Sequence, residues 1–302
     1  MADDTPIKLK LPDGAIQDDF DQHRKSLAEC DDPAALDLLM KRYWRWHFDA
    51  SLSNAVRTLL TADLGWDKNR ELTTPPVGEV ISPLGIALDS SDELIRQSAL
   101  QVLDAIADVP AGCVLIGHEL TPLRVEAFQI GRYPVTNAQY QRFIRDTGHP
   151  SPQSWEGDAY PEKKGDHPVV WVNSEDAAAY AEWKSCRLPT FEEWTRAARG
   201  DDGRRFPWGN EIDKPRCNTA ELGAGGTTPV GAFPGGVSPV GCYDMIGNVW
   251  EWTNTWYDEQ DPQFRVVCGG AWYYNHDAST CASFDYFSPD YTEFIIGFRV
   301  AR

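Results

Sequence analysis

Apolar side chains recur every three to four positions over residues 16–64, a spacing that places them on one face of a helix. Gly65 follows this segment and is a natural helix stop. The same spacing returns over residues 90–109. Together these segments predict an N-terminal helical domain over residues 1–107.

Residues 90–109 are expected to form one helix, with Ser90 or Ser91 as the residue that caps its first turn. A loop is predicted before it, over residues 73–85, because Pro and Gly recur there. Beyond this helix, Gly, Pro, Asn and Asp divide the chain into short segments. This change predicts a second domain over residues 108–302.

Two capping boxes mark helices in the second domain. Thr136 stands three residues before Gln139, and Thr190 stands three residues before Glu193, so each pair can satisfy the free amides of a first turn. A third helix is expected to start at Ser174. After the last of these helices, the frequent Gly and Pro predict mostly loops and short strands.

Composition limits the possible partners. A hydrophobic content of 42% is enough for a sizeable core, while the net charge of −18 disfavours nucleic acid and anionic membranes. The chain starts without an apolar signal core, and no stretch approaches the roughly 18 apolar residues of a membrane span. We therefore expect a cytoplasmic protein without a membrane span and without a nucleic-acid ligand.

The cysteines are odd in number and contain no C-x-x-C pair, a pattern that fits neither a disulfide framework nor a zinc site. We expect most of them to be buried thiols. The seven positions are Cys30, Cys113, Cys186, Cys217, Cys242, Cys268 and Cys281.

From residue 109 onward, ordered motifs include VEAFQIGRYPVTNAQYQRFI, CRLPTFEEWTRAARG, GCYDMIGNVWEWTNTWY, CGGAW and IGFRVA. They resemble the formylglycine-generating-enzyme, or sulfatase-modifying factor, family. The resemblance implies an α+β, loop-rich C-type lectin-like fold. In such a domain, large Trp side chains fill the core and Gly permits special backbone geometry; the residues in question are Trp208, Trp250, Trp252, Trp272, Gly247 and Gly270.

The family's chemistry is not evident in these residues. Its oxidase uses two cysteines after the Gly-Gly to bind copper, and the matching positions hold Tyr274 and Ser279. Cys281 comes later and matches a structural cysteine of relatives. A second branch, which makes ergothioneine precursors, binds iron through a His-rich N-terminal motif, whereas His23 and His47 stand far apart here. The sequence therefore predicts that the protein is not an enzyme. The alternative is an oxidase or hydroxylase with a divergent site.

The resemblance also implies a possible structural calcium ion, with no other cofactor required. Relatives bind calcium through the segment that matches DMIGNVWE, in which Asp244 and Glu251 supply acid oxygens while Gly247 and Val249 offer carbonyls. The alternative is that both acids cap backbone amides. A second family site is expected near Asn218.

Residues 271–296 resemble the variable region of proteins diversified by retroelements, where Asn codons mutate to NNY codons within a fixed frame. NNY codons cannot encode Trp, Met, Gln, Lys or Glu. From residue 273 to residue 296, Glu293 is the single residue of these types, whereas their frequency in the whole chain predicts about four in this stretch.

Aromatic rings in this region alternate with small polar residues, as in antibody paratopes, which predicts a ligand-binding surface. We expect exposure for Tyr274, Phe284, Tyr286, Phe287 and Tyr291, and burial for Phe294, Ile295 and Ile296 beside the final strand. The candidate ligand-binding residues are Tyr273, Tyr274, Asn275, His276, Asp277, Ser279, Phe284, Asp285, Tyr286, Phe287, Ser288, Tyr291, Thr292 and Phe294.

These patterns favour a non-enzymatic recognition protein that binds a protein or another macromolecule through its C-terminal surface. Its acidic balance favours basic or neutral ligands. The N-terminal helices are expected to bind a partner or to self-associate. A divergent oxidase and a structural scaffold without a variable region are the alternatives.

Overall fold

The computed structural model describes residues 82–116, 120–212 and 216–302. The helices predicted over residues 16–64, with the stop at Gly65, lie outside the described residues. Within the described parts of the chain, no helix is both long and apolar enough to span a membrane.

Helix α1 covers Pro83–Leu88 and helix α2 covers Glu93–Leu103. The loop predicted over residues 73–85 was therefore wrong at its end, where the Ser82 hydroxyl caps α1. Asp92, and neither of the predicted serines, caps α2. The helix predicted over residues 90–109 was also too long.

That helix ends early because its last residues form strand β1, Ile106–Val109, which pairs antiparallel with β4, Phe128–Gly131. Strand β2, Gly112–Ile116, pairs in the same manner with β3, Thr121–Val125. Apolar burial against a sheet thus outweighs the helical spacing of this segment.

Helices α1 and α2 pack on the rest of the fold. Leu84 of α1 and Leu100 and Leu103 of α2 are buried in one cluster with Tyr133 and Tyr243. The Tyr133 and Tyr243 rings stack with centroids 5.1 Å apart. Residues from the predicted N-terminal domain therefore belong to the core of the second.

Three further helices lie where the capping patterns predict them. Helix α3 covers Asn137–Thr147 and helix α5 covers Phe191–Arg199, and both have the predicted capping boxes. Helix α4 covers Ser174–Trp183 and starts at the predicted residue, with Asn173 as its cap.

The C-terminal half of the fold contains a four-stranded sheet, whose strand order is β7-β6-β5-β8. Its strands are β5, Trp250–Trp256; β6, Arg265–Cys268; β7, Phe284–Phe287; and β8, Ile296–Phe298. β8 pairs parallel with β5, and the other pairs are antiparallel. A short 3-10 helix, Pro234–Gly236, lies in the loops before the sheet, so the prediction of loops and short strands is confirmed.

The sheet is covered on both faces. Helices α3 and α4 bury Tyr140 and Tyr180 against Trp252 and Phe298 on one face. Helix α5 buries Trp194 beside Val266 and Cys268 on the other face. Trp250 and Trp252 are buried as predicted, whereas Trp208 and Trp272 are half-buried.

Gly247 and Gly270 have the predicted special geometry. Both have positive φ, 73° and 78°. A Cβ atom on Gly247 would stand 2.2 Å from the Asn218 carbonyl oxygen, and one on Gly270 would stand 2.1 Å from the Ser279 hydroxyl. Substitution at either position would push these segments apart.

Candidate ligand-binding surface

A buried ion pair fixes the frame around the C-terminal segment. The Arg299 guanidinium donates from Nε to Glu251 Oε2 at 2.6 Å and from Nη2 to Glu251 Oε1 at 2.7 Å. The Trp194 indole donates to the same Oε2 at 2.7 Å. Arg299 also donates to the carbonyls of Gly131 and Tyr243, which ties β8 to the rest of the fold.

Glu251 was predicted to bind calcium through its carboxylate. Because Arg299 already binds this carboxylate, Glu251 does not fit the role of a calcium ligand. Both of its oxygens accept hydrogen bonds from a cation. Asp244 is half-buried, accepts a hydrogen bond from the Gly231 amide at 2.7 Å, and has a pKa raised to about 6 by desolvation of its carboxyl group. The alternative, that the acids cap backbone amides, describes Asp244 but not Glu251, whose donors are side chains. Gly247 and Val249, whose backbone carbonyls were the other predicted ligands, lie between these two acids in the chain.

The second predicted calcium position has free oxygen atoms. Asn218 Oδ1 and Thr228 Oγ1 are buried without a hydrogen-bond partner. Asn248 Oδ1 links the two residues, because it accepts from Asn218 Nδ2 at 3.3 Å and from the Thr228 amide at 3.0 Å. Neutral oxygens suit a hard cation. The described residues contain no group of three or more His, Cys, Asp or Glu side chains with metal-binding geometry.

The positions of the family's copper-binding cysteines have other roles here. Tyr274 is half-buried, and its ring contacts Trp250 with centroids 5.7 Å apart. Ser279 is fully buried beneath Gly270, and its hydroxyl has no hydrogen-bond partner. Burial raises the pKa of the Cys281 thiol far above its usual value, so this sulfur stays protonated at neutral pH.

The remaining cysteines mostly confirm the prediction of buried thiols. Cys217, Cys242 and Cys268 are buried, as is Cys281, whereas Cys186 is half-buried and Cys113 is exposed. In the described part of the chain, these six cysteines form no disulfide bond. Cys30 lies outside the described residues.

The predicted surface residues are exposed to different degrees. Those exposed to solvent are Tyr273, Asn275, Asp277, Phe284, Tyr286, Ser288, Tyr291 and Phe294. Those half-buried are Tyr274, Asp285, Phe287 and Thr292, and those buried are His276 and Ser279.

Three of the predictions of burial or exposure were wrong. Phe294 is 36% exposed, because β8 begins two residues later and does not enclose it. Tyr274 and Phe287 are half-buried, because they pack against Trp250 and Trp252. Two candidate ligand-binding residues, His276 and Ser279, are 1% and 0% exposed and therefore do not face a ligand. Burial of Ile295 and Ile296 is confirmed.

His276 is buried because polar partners surround its ring. Its Nδ1 lies 2.9 Å from Glu221 Oε2, and its Nε2 lies 3.5 Å from the Cys217 sulfur. The ring meets Phe206 edge-on. Burial acts to raise the pKa of Glu221, but hydrogen bonds from the His276 backbone and ring outweigh it and lower that pKa to about 2. These contacts anchor the variable-like segment to residues 217–221.

Strand β7 divides the predicted surface between two faces of the sheet. Phe284 and Tyr286 point to one face, and Asp285 and Phe287 point to the other, since successive side chains of a strand alternate. Tyr286 stacks on Tyr257 with centroids 3.9 Å apart. We call Phe284 and Tyr286 the outer face of β7.

The other candidate rings form a second group, which we call the display surface: the exposed Tyr273, Tyr291 and Phe294 and the half-buried Tyr274 and Phe287. Phe287 stacks on Tyr291 with centroids 4.8 Å apart, and Tyr273 lies 6.0 Å from Tyr274 and 6.3 Å from Phe294. A hydrogen bond to Glu293 raises the pKa of the Tyr291 hydroxyl, with a smaller contribution from Tyr274.

Some surface rings were missed in the sequence. Trp171 contacts Phe294, and Tyr257 and Phe264 contact Tyr286, although all three precede the variable-like segment. Trp171 has a left-handed backbone with φ of 63°, which the sequence does not signal.

A family model, the sulfatase-modifying factor enzyme 1-like domain, matches residues 92–302. The chain therefore belongs to this family, as the motifs predicted, and has its loop-rich, C-type lectin-like α+β fold. The matched region includes α2, all described strands and the display surface.

Two relatives illustrate the range of the family. Hercynine oxygenase of Mycolicibacterium smegmatis is 34% identical over 200 residues, which cover 49% of this chain and 46% of the relative. The chain thus spans about half the length of this relative. Inactive C-alpha-formylglycine-generating enzyme 2 of Mus musculus is 32% identical over 236 residues, which cover 58% of this chain and 76% of the relative.

Among solved structures, Treponema denticola variable protein 1 has the same fold. It superposes with a TM-score of 0.53 at 21% identity, over 65% of this chain and 94% of that protein.

Proposed function

We propose that this chain is a non-enzymatic recognition protein of the variable-protein type, and that its display surface binds a protein ligand. The observation that carries the proposal is a group of exposed aromatic rings on a fixed backbone, in a segment with the composition of a diversified region. Tyr273 is 63% exposed and Tyr291 is 38% exposed. Aromatic area of this kind on a protein surface favours binding.

Backbone hydrogen bonds hold the display surface from outside the segment. The Trp272 amide donates to the Asn248 carbonyl at 3.1 Å, and the Tyr274 carbonyl accepts from the Ala220 amide at 2.9 Å. The Pro289 carbonyl accepts from the first amide of α4 at 3.0 Å. Because these bonds use main-chain atoms, the side chains at the display positions can differ without loss of the frame.

The residues at the family's catalytic positions support a non-enzymatic role. Tyr274 and Ser279 stand where the oxidase has its copper-binding cysteines, and neither supplies a thiolate. One family relative is named as inactive. The fold neighbour from Treponema denticola is named as a variable protein.

The gene locus tests the proposal. We expect a near-copy of the coding sequence for residues 271–296 close by, which differs from it mainly at template adenines, together with a reverse transcriptase gene. The coding sequence for β5 and β6 is the internal control, since it should have no such copy. A locus without the repeat would contradict diversification, and only the assignment of the fold would remain.

The second candidate is an oxidase or hydroxylase with a divergent site, which the relationship to hercynine oxygenase favours. Oxygen consumption by the full chain, with copper or iron and a cysteine peptide, tests it. Turnover above that of free metal would contradict the recognition proposal. A Cys113→Ser variant controls for oxidation of the exposed thiol.

A calcium ion near Asn218 is part of the proposal, as a stabiliser of the loop that faces Gly247. We expect calcium to raise the melting temperature and EDTA to reverse the rise. In Asn218→Ala the response should be lost, because the free Oδ1 atom is removed. An equal response in Asn218→Ala and the parent chain would place the ion elsewhere.

The N-terminal domain is proposed as an adaptor or self-association module. Sedimentation of the full chain over a range of concentrations tests self-association. A mass that stays at 33.8 kDa at all concentrations would contradict self-association and leave the adaptor role as the proposal.

A further inference from the structure

Three rings of the C-terminal segment meet at steep angles, and we call them the aromatic corner: Trp272, Tyr273 and Phe294. Centroids are 5.7 Å apart for Trp272 and Tyr273, 5.7 Å for Trp272 and Phe294, and 6.3 Å for Tyr273 and Phe294. The angles between ring planes are 88°, 50° and 86°. Inclined rings of this kind offer more than one ring face to a single bound group.

Ring faces carry negative electrostatic potential and attract cations. Tyr273 is 63% exposed and Phe294 is 36% exposed, so a ligand can reach the corner. The protein makes the same kind of contact on its surface between strands, where the Arg265 guanidinium lies 3.6 Å from the centre of the Trp256 ring. Ring geometry and accessibility together favour a positively charged group over a neutral one.

The charges beside the corner point the same way. The Glu293 carboxylate accepts from the Tyr291 hydroxyl and from the Phe294 amide, both at 3.0 Å. These donors are neutral and leave the carboxylate charge uncompensated. Among the described residues, Glu293 forms no ion pair. A cation at the corner would therefore meet negative charge and ring faces together.

The corner is also fixed before any ligand arrives. The Glu293 carbonyl accepts from the Trp171 amide at 3.1 Å, and the Trp272 amide donates to the Asn248 carbonyl at 3.1 Å. The Trp171 ring also contacts Phe294, with ring centroids 6.2 Å apart. A preformed site avoids part of the ordering cost of binding.

We propose that the aromatic corner binds the ammonium or guanidinium group of a Lys or Arg side chain on the protein ligand. This inference rests on the proposed recognition function and names the chemistry of its partner. An acidic ligand segment is disfavoured by Glu293 and by the net charge of −18.

Peptide binding to the full chain tests the proposal. The probes are three fluorescein-labelled peptides of alternating glycine and lysine, in which the lysines are unmodified, trimethylated or acetylated. Trimethylation keeps the charge and removes the N–H donors, whereas acetylation removes the charge. We expect the first two to bind, and the acetylated peptide to bind at least about tenfold more weakly at physiological ionic strength.

Matched variants separate the corner from the general acidity of the protein. Phe294→Leu and Tyr273→Leu keep apolar bulk and remove a ring, and each should weaken binding of the trimethylated peptide by about 5- to 30-fold. Phe284→Leu removes a ring that is 47% exposed on the outer face of β7, and it should leave affinity within about twofold. Unchanged melting temperatures would show that all variants fold.

Equal affinity for charged and acetylated peptides, no binding of the lysine peptide, or equal effects of Phe294→Leu and Phe284→Leu would overturn the inference. The gene locus keeps this result separate from the proposed function. A template repeat with no preference for charged peptides would leave the recognition function in place and remove the cation site. Cation selectivity without a template repeat would leave the cation site in place and remove diversification.

Discussion

The Arg299 guanidinium and the Glu251 carboxylate form a two-point ion pair that is shut off from solvent, with exposed side-chain fractions of 0% and 1%. Arg299 lies in IGFRVA beside β8, and Glu251 lies in β5, so the pair joins the last strand to the centre of the sheet. The display surface lies in the chain between these residues. Its position therefore depends on a contact that no ligand touches.

Replacement of Glu251 by Gln should destabilise the protein strongly. Gln can still accept a hydrogen bond, but it leaves the Arg299 charge buried without a counter-charge. The expected loss in the free energy of unfolding is about 3–5 kcal/mol. Urea denaturation followed by tryptophan fluorescence measures it.

Asp277→Asn is the matched control, because it breaks the ion pair of Asp277 with Arg205, whose side chains are 78% and 42% exposed. Solvent screens such a pair, and the expected loss is less than about 1 kcal/mol. Similar losses for the two variants would mean that the buried pair does not fix the frame.

Local signals in the sequence were sufficient for the helices of the second domain. The Thr136 and Thr190 capping boxes form as predicted, because each involves residues three apart that a single turn brings together. The predicted end of α2 was wrong because the following residues form β1, which is stabilised by pairing with β4, about twenty residues later in the chain. A helical spacing alone does not reveal such a partner.

The candidate site was predictable as a segment and not as a surface. The resemblance to a variable region indicated residues 271–296, and ring content and codon limits supported it, but the alternation of β7 places Phe284 and Phe287 on different faces. His276 was misplaced because its partners Cys217 and Glu221 lie 59 and 55 residues away in the chain. Contacts at that separation are a property of the fold.

Asp166 should make the protein more stable as the pH falls from 7 to 5. Burial raises its pKa from 3.8 to about 6, against hydrogen bonds from Ser82 and Gly85 that lower it. The folded state therefore binds the proton more tightly than the unfolded state, and protonation favours folding over this interval. The full effect is about 3 kcal/mol and is reached below the unfolded-state pKa, and about 1.3 kcal/mol of it falls between pH 7 and pH 5.

The variant Asp166→Asn isolates this effect, since Asn does not titrate. The neighbouring His167 acts in the opposite direction: burial lowers its pKa to about 3, so acid favours its unfolded form. Because both proteins retain His167, its contribution cancels in their difference. Urea denaturation at pH 7, 6 and 5 should show that the free energy of unfolding of the parent chain rises relative to that of the variant as the pH falls. A constant difference between the two proteins would contradict the raised pKa.

His276 should contribute to stability and not to ligand contact. In His276→Ala, the Glu221 carboxylate and the Cys217 thiol lose their contacts with the imidazole ring, and the expected cost is about 1–3 kcal/mol. His276→Phe keeps a ring against Phe206 and removes the hydrogen bonds, so it separates packing from polar contacts. Asn275→Ala is the control at the adjacent exposed position, and a larger effect there than at His276 would contradict the burial of the ring.

The cost of ring removal should follow burial along the C-terminal segment. Tyr273→Ser removes an exposed ring and should change the free energy of unfolding by less than about 1 kcal/mol. Phe287→Ser removes a half-buried ring from between Trp252 and Tyr291, with an expected cost of about 1–3 kcal/mol. Phe298→Ala removes a fully buried ring of β8, with an expected cost of about 3–5 kcal/mol.

Urea denaturation of the three variants at one pH measures this order. It distinguishes a surface that tolerates sequence change from a core that does not, because a diversified position has to accept many side chains without unfolding the frame. If Tyr273→Ser costs as much as Phe298→Ala, the Tyr273 ring is part of the core, and the display surface loses its most exposed member.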